Sequence, residues 1–170
     1  TGADAAAVVG RGTGVDDAGL ARKREAVARA IAVNRPDRDD PVDVLGKVGG
    51  LEIAGLAGLI LGAAKSRVAV IIDGFISSAA ALAAVRMAPA AAAYLIPSHL
   101  SAEPGHRVVM SALGLEPVLR MDMRLGEGTG AALCMPLVDA AIAVMRDMAT
   151  FESAGVSRER ETGLAAEAVE

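Results

Sequence analysis

A chain of 170 residues that is 53% hydrophobic and 22% charged carries enough apolar side chain for one folded domain and is not a disordered segment. Aromatics make up only 2% of it, which removes the stacking platforms that hold single-stranded nucleic acid, and a net charge of −4 without a basic stripe excludes a nucleic-acid backbone as partner. The single cysteine, Cys134, permits no disulfide within the chain, and with only two histidines beside it no Cys/His metal cluster is expected.

No metal and no cofactor are expected. Thr1-Gly2-Ala3-Asp4 lacks the basic start and apolar core of a secretory leader, and no run of 18 apolar residues occurs. The expectation is a soluble, cytoplasmic protein with no membrane partner.

Taken in order, Ala5 to Val9 reads as a short apolar strand. Gly10-Arg11-Gly12-Thr13-Gly14 follows as a turn, and a helix is predicted from about Asp17 to Val33. Acids at its start favour the helix dipole. Strand, glycine turn and helix form the local layout of a phosphate-binding unit. The dinucleotide fingerprint is incomplete, because Val15 stands where its third glycine belongs, so an NAD-dependent oxidoreductase is disfavoured.

Val42 to Lys47 reads as a short helix, and Leu51 to Ala64 as a nearly all-apolar one. Its Gly55, Gly58 and Gly62 cost about 1 kcal/mol each relative to Ala, and close packing is their expected use. Val68 to Ile72 is the clearest strand, with unalternating β-branched residues suited to a parallel sheet buried on both faces. It ends at Asp73-Gly74. An acid there either faces a ligand cleft or forms a simple turn. Ser77-Ser78 is expected to cap a helix from Ala79 to Met87.

Tyr94 to Ile96 is the next strand, before a loop rich in hydroxyls and imidazoles. In that loop His99 is either a ligand contact or hydrogen-bonded structure. Ser101 caps a predicted helix from Glu103 to Leu113, whose first amides are open to an anion. Val118-Leu119 begins a last strand leading to Arg124-Leu125-Gly126-Glu127-Gly128-Thr129-Gly130. This pattern suits either a carboxylate aimed into a cleft or a solvated Glu at a loop-to-helix turn. A mostly buried helix, kinked at Pro136, then runs to about Phe151. Strand and helix alternate about four times, so the predicted fold is α/β, Rossmann-like, with a largely parallel sheet flanked by helices. Residues 157–170 read as a charged, loosely ordered tail.

Several strings together resemble one family. They are Gly10-Arg11-Gly12-Thr13-Gly14, Leu20-Ala21-Arg22-Lys23, Lys47-Val48-Gly49-Gly50-Leu51-Glu52-Ile53, Ile72-Asp73-Gly74-Phe75-Ile76-Ser77, Ser98-His99-Leu100-Ser101-Ala102-Glu103 and Arg124 through Leu133. Their order and spacing are similar to nicotinate-nucleotide–dimethylbenzimidazole phosphoribosyltransferases of the cobalamin lower-ligand pathway. The resemblance runs from residue 1 to about Val156.

It implies transfer of the 5-phosphoribosyl group from nicotinate mononucleotide to 5,6-dimethylbenzimidazole, giving α-ribazole 5′-phosphate and nicotinate. By the resemblance, Glu127 matches the general base. Lys23 and the backbone of Ser101 and Ala102 match positions that hold the phosphate, and Gly12, Gly126 and Gly128 the glycines that let the nucleotide approach. Asp73 and His99 are expected in the same strand-end cleft. The family also implies a homodimer. Its members are about twice as long, so residues 1–156 are expected to be the C-terminal part of an incomplete domain. The alternative is a non-catalytic fragment or subunit that binds only a phosphate or nucleotide.

Overall fold

The computed structural model describes residues 1–124 and 126–156. The expected tail at 157–170 lies outside the described residues. The chain divides into two compact units, Thr1–Pro136 and Leu137–Glu170.

The elements of the first unit begin with α1 (Ala5–Val8), α2 (Asp17–Asn34), α3 (Pro41–Val48) and α4 (Leu51–Lys65). β1 (Val70–Ile72) and α5 (Phe75–Met87) follow, then a 3-10 turn over Pro89–Tyr94, β2 (Leu95–Pro97) and α6 (Pro104–Leu113). The final helix α7 (Thr129–Asp147) starts in the first unit and runs past its boundary.

β1 and β2 pair in parallel, with Val70 opposite Leu95, Ile71 opposite Ile96 and Ile72 opposite Pro97. The Val118-Leu119 strand is reduced to a parallel bridge between His99 and Leu119. It is held by the Leu119 N–H donating to Ser98 O at 2.9 Å and the Leu100 N–H donating to Leu119 O at 2.9 Å. The α/β architecture with a parallel sheet is as the sequence predicts, but the sheet is small and most of the mass is helical.

The core lies where α4, α5 and α6 meet the sheet. Ala57 and Ile60 of α4, Ala80, Ala81 and Ala84 of α5, Ile72, Leu95, and Val109 and Met110 of α6 form one buried cluster. The alanine surface lets α5 sit close to both neighbouring helices. Burying an Ile or Leu side chain contributes about 1.5–3 kcal/mol, so Ile60, Ile72 and Leu95 carry the larger shares.

Four expectations are corrected. Ala5–Val9 is not a strand: Ala5–Val8 is helical, because three alanines favour helix and the Asp4 side chain caps the Ala6 N–H at 3.0 Å. Ser77 and Ser78 do not cap α5, which starts earlier, at Phe75; the Ser77 hydroxyl instead donates to Gly74 O at 2.9 Å from inside the first turn. Gly55, Gly58 and Gly62 make no close contact, since a Cβ at any of them would meet nothing within 4 Å. Finally, α7 is not mostly buried: Gly130 and Cys134 are its only buried positions.

Among the described residues one helix, α7, is long and apolar enough by length and composition to cross a membrane. Asp139 near its middle opposes that, at about 3 kcal/mol for a carboxylate at the centre of a bilayer.

Candidate active site

Two glycine turns and the loop between β2 and α6 carry most of the residues singled out from the sequence. The first turn is held from α2. Lys23 Nζ donates to Gly10 O at 2.8 Å. A Cβ on Gly12 would lie 3.4 Å from the same ammonium, so Lys23 lies beside the turn's exposed edge. The Gly12 N–H donates to the Glu103 carboxylate at 3.1 Å, across 91 residues of sequence. Glu103 has no predicted role, and nothing local in the sequence marks it.

The second turn carries Glu127. Gly126 and Gly128 flank it with φ of +85° and +80°, a region costly for any other residue and natural for glycine. The Thr129 N–H closes the turn on Gly126 O at 3.1 Å. Glu127 itself is exposed at its tip. Among the described residues no ion pair engages its carboxylate.

Asp73, at the end of β1, fixes this turn. One carboxylate oxygen accepts the Gly128 N–H and the other the Ala131 N–H, both at 2.9 Å. These belong to the start of α7, whose first amides have no partners within the helix. Asp73 is thus a cap delivered from a distant strand, with its charge at the favourable end of the helix dipole. Both of its oxygens are engaged in holding the Glu127 turn.

His99 is buried beside it, with Nδ1 at 3.8 Å from an Asp73 oxygen and 3.1 Å from Ser98 Oγ. The Ser98 hydroxyl also lies 3.3 Å from Asp73 O. The Ser98 oxygen thus bridges the Asp73 carbonyl and the His99 ring. A Cβ on Gly130 would overlap the His99 ring, so α7 can start here only with a glycine at its second residue.

The loop amides are not free. The Ser101 N–H donates to His106 Nδ1 at 2.9 Å, and the Ala102 N–H to Met123 O at 2.9 Å. The two backbone amides expected to hold a phosphate are thus already bonded within the chain. The Ser101 hydroxyl, which the sequence does not single out for that role, accepts from the Glu103 N–H at 3.3 Å and keeps its own proton for another acceptor. The Ala102 bond ties the loop to the segment leading into Glu127. The structure thus links Lys23, Gly12, Glu103 and Ser101 in one chain of contacts, and Asp73, His99, Gly128 and Gly130 in another.

His106 joins these two groups, and the sequence reading misses it. It is fully buried, with Nδ1 receiving Ser101 and Nε2 bonded to Ser78 Oγ at 2.9 Å. An imidazole accepting at Nδ1 must carry its proton on Nε2 and be neutral. Burial, then the nearby His99, lowers its pKa from 6.5 to about 4, against a smaller opposing pull from Asp73. The unfolded chain therefore binds the extra proton between pH 6.5 and 4, and the folded chain does not. Stability from this group is full above pH 6.5 and is lost as pH falls toward 4, by on the order of 3 kcal/mol. Urea midpoints between pH 7.5 and 4 should fall accordingly, and His106→Leu should flatten that slope; an equal slope in both proteins would contradict the assignment.

Cys134 is buried, and burial pushes its thiol pKa up, as suits an unreactive core residue. Among the described residues no group of His, Cys, Asp and Glu could hold a metal.

With this geometry in view, comparisons with known proteins agree on one family. The phosphoribosyltransferase family DBI_PRT matches residues 1–156. A nicotinate-nucleotide–dimethylbenzimidazole phosphoribosyltransferase from Desulforudis audaxviator is 60% identical over 93% of this chain and 45% of its own length. One from Chloroflexus aggregans is 58% identical over 95% and 46%. The crystal structure of CobT from Thermus thermophilus superposes with a TM-score of 0.85 at 50% identity, covering 93% of this chain and 47% of that one. The chain spans about half the length of the curated relatives it matches. On this match over nearly all of its described length, the chain belongs to the DBI_PRT phosphoribosyltransferase family.

Proposed function

We propose that this chain is the C-terminal part, residues 1–156, of an enzyme that transfers phosphoribose from nicotinate mononucleotide to 5,6-dimethylbenzimidazole. The observation that carries the proposal is the Glu127 turn: an exposed carboxylate between two left-handed glycines, pinned by Asp73 through Gly128 and Ala131. In the reaction one azole nitrogen attacks the ribose anomeric carbon as its bond to the pyridinium nitrogen of nicotinate breaks, with inversion. Nicotinate leaves as a pyridine and needs no acid. The azole would become cationic, so Glu127 takes the proton from its other nitrogen as general base.

Lys23 and the Ser101 hydroxyl hold the 5′-phosphate, with the turn glycines Gly12, Gly126 and Gly128 letting the nucleotide approach. The bonds already made by the Ser101 and Ala102 amides support a role for those amides in shaping the loop, leaving the phosphate to side chains. His99 lies behind the cleft, packed beside Asp73. Exposed Val27, Ile31 and Val33 on α2 support a homodimer, and the lone free cysteine fits a reducing cytoplasm.

A second reading is favoured by the same exposure of Glu127 and by the half-length match: a subunit that binds nucleotide and lacks turnover alone. The test is formation of α-ribazole 5′-phosphate by the chain alone, and by the chain joined to the portion of the Desulforudis relative that its match leaves uncovered. Product from the joined protein is the expected result. Nucleotide binding without product in either form would favour the second reading, and neither binding nor product would remove both.

A further inference from the structure

We propose that Glu103 is a positioning residue for the nucleotide phosphate, a strut that sets the spacing between the Lys23 ammonium and the Ser101 hydroxyl. The inference rests on the phosphoribosyl-transfer reading and deepens it. Glu103 touches both halves of the phosphate site at once. Its carboxylate accepts the Gly12 N–H at 3.1 Å, and its own N–H donates to Ser101 Oγ at 3.3 Å.

Gly12 in turn borders Lys23 Nζ, and that ammonium is anchored on Gly10 O at 2.8 Å. Glu103 is also the residue just before α6, where its charge is favoured by the helix dipole. The fit around it is close. A Cβ on Gly10 would overlap the second carboxylate oxygen of Glu103 and lie 2.8 Å from Pro104 Cδ.

The carboxylate is half-buried, and no ion pair is formed between it and Lys23. The lysine charge therefore stays available to a phosphate, while the Gly12 amide is held by Glu103. Glu103 acts through the turn and does not itself touch the substrate.

The variants are made in the joined, full-length protein, with nicotinate mononucleotide as the probe. Glu103→Gln keeps the length and an acceptor oxygen, and its KM for nicotinate mononucleotide should stay within about threefold of wild type. Glu103→Ala removes a charge-assisted hydrogen bond and should raise that KM roughly tenfold or more. The KM for dimethylbenzimidazole and kcat should change little, a split that a merely structural role would not produce.

Glu103→Asp, one methylene shorter, covers the case in which the alanine variant fails to fold, and it too should raise the nucleotide KM. An unchanged KM in Glu103→Ala and Glu103→Asp, equal losses in Gln and Asp, or a parallel rise in both KM values would overturn the strut. Absence of turnover in the wild-type joined protein would instead overturn the reading on which it rests.

Discussion

Glu127→Ala is expected to lower kcat by roughly 10²- to 10⁴-fold, the usual worth of a positioned general base, with nicotinate mononucleotide binding nearly intact. The geometry makes this a clean experiment. Glu127 is exposed and sits at the tip of a turn whose shape does not depend on it. The glycines at 126 and 128 supply the left-handed backbone, and Asp73 holds the amides on its far side. An exposed substitution of this kind changes stability by about 0.5 kcal/mol or less. The melting temperature should therefore stay where it is while turnover collapses. Kinetics and nucleotide titration in the joined protein check both parts. Equal loss of binding and turnover, or a lowered melting temperature, would make Glu127 structural.

How far the sequence foretells this site depends on the distance over which each residue finds its partners. Asp73 is legible because a β-branched run ends in Asp-Gly, and a parallel strand that ends so presents its acid at the sheet's edge. What it binds is not legible, because the Gly128 amide lies 55 residues away. The sequence leaves open a cleft acid or a simple turn. Neither reading foretells the two bonds that make Asp73 a remote helix cap.

His106 shows the same limit more sharply. Nothing in the residues beside His106 marks it as buried, yet Ser78 and Ser101 bond its two ring nitrogens and make it a buried, neutral link. Its effect is to occupy the amide that the sequence leaves open to an anion at Ser101. α1 fails for a different reason. Ala-Ala-Ala-Val-Val is short enough for propensity to point either way, and the deciding signal is Asp4, one residue outside the run. The helices α2 to α4 are legible to within a residue or two because their caps and breakers are local, Asp16 and Asp40 acting on neighbours a turn away. The expected serine caps fail at α5 and α6, which start on Gly74 and Glu103 without a side-chain cap.

Gly130→Ala should destabilise the protein although it improves helix propensity. In an open helix position, Gly→Ala gains up to about 1 kcal/mol. At Gly130 the new methyl would meet the His99 ring, with Cγ at 2.7 Å from the ideal Cβ and other ring atoms nearer. His99 has little room to yield. Its Nδ1 is tied to Ser98, its ring packs edge-on to His106 at 6.1 Å between centroids, and Gly74 closes in near its Nε2. The helix start cannot retreat either without breaking the two Asp73 bonds that set the Glu127 turn.

Overpacking of this kind costs about 1–3 kcal/mol, and more where the neighbour is fixed. A net loss of about 2 kcal/mol would lower the melting temperature by roughly 4–8 °C for a chain of this size. Gly58→Ala is the matched control, because a Cβ there, on α4, meets nothing within 4 Å, and it should hold or raise the melting temperature. The same change of residue should thus move stability in opposite directions at the two sites, as calorimetry would show. A melting temperature unchanged or raised in Gly130→Ala would mean that the His99 ring is not wedged against α7, and the Asp73–His99 support for the Glu127 turn would lose its physical basis.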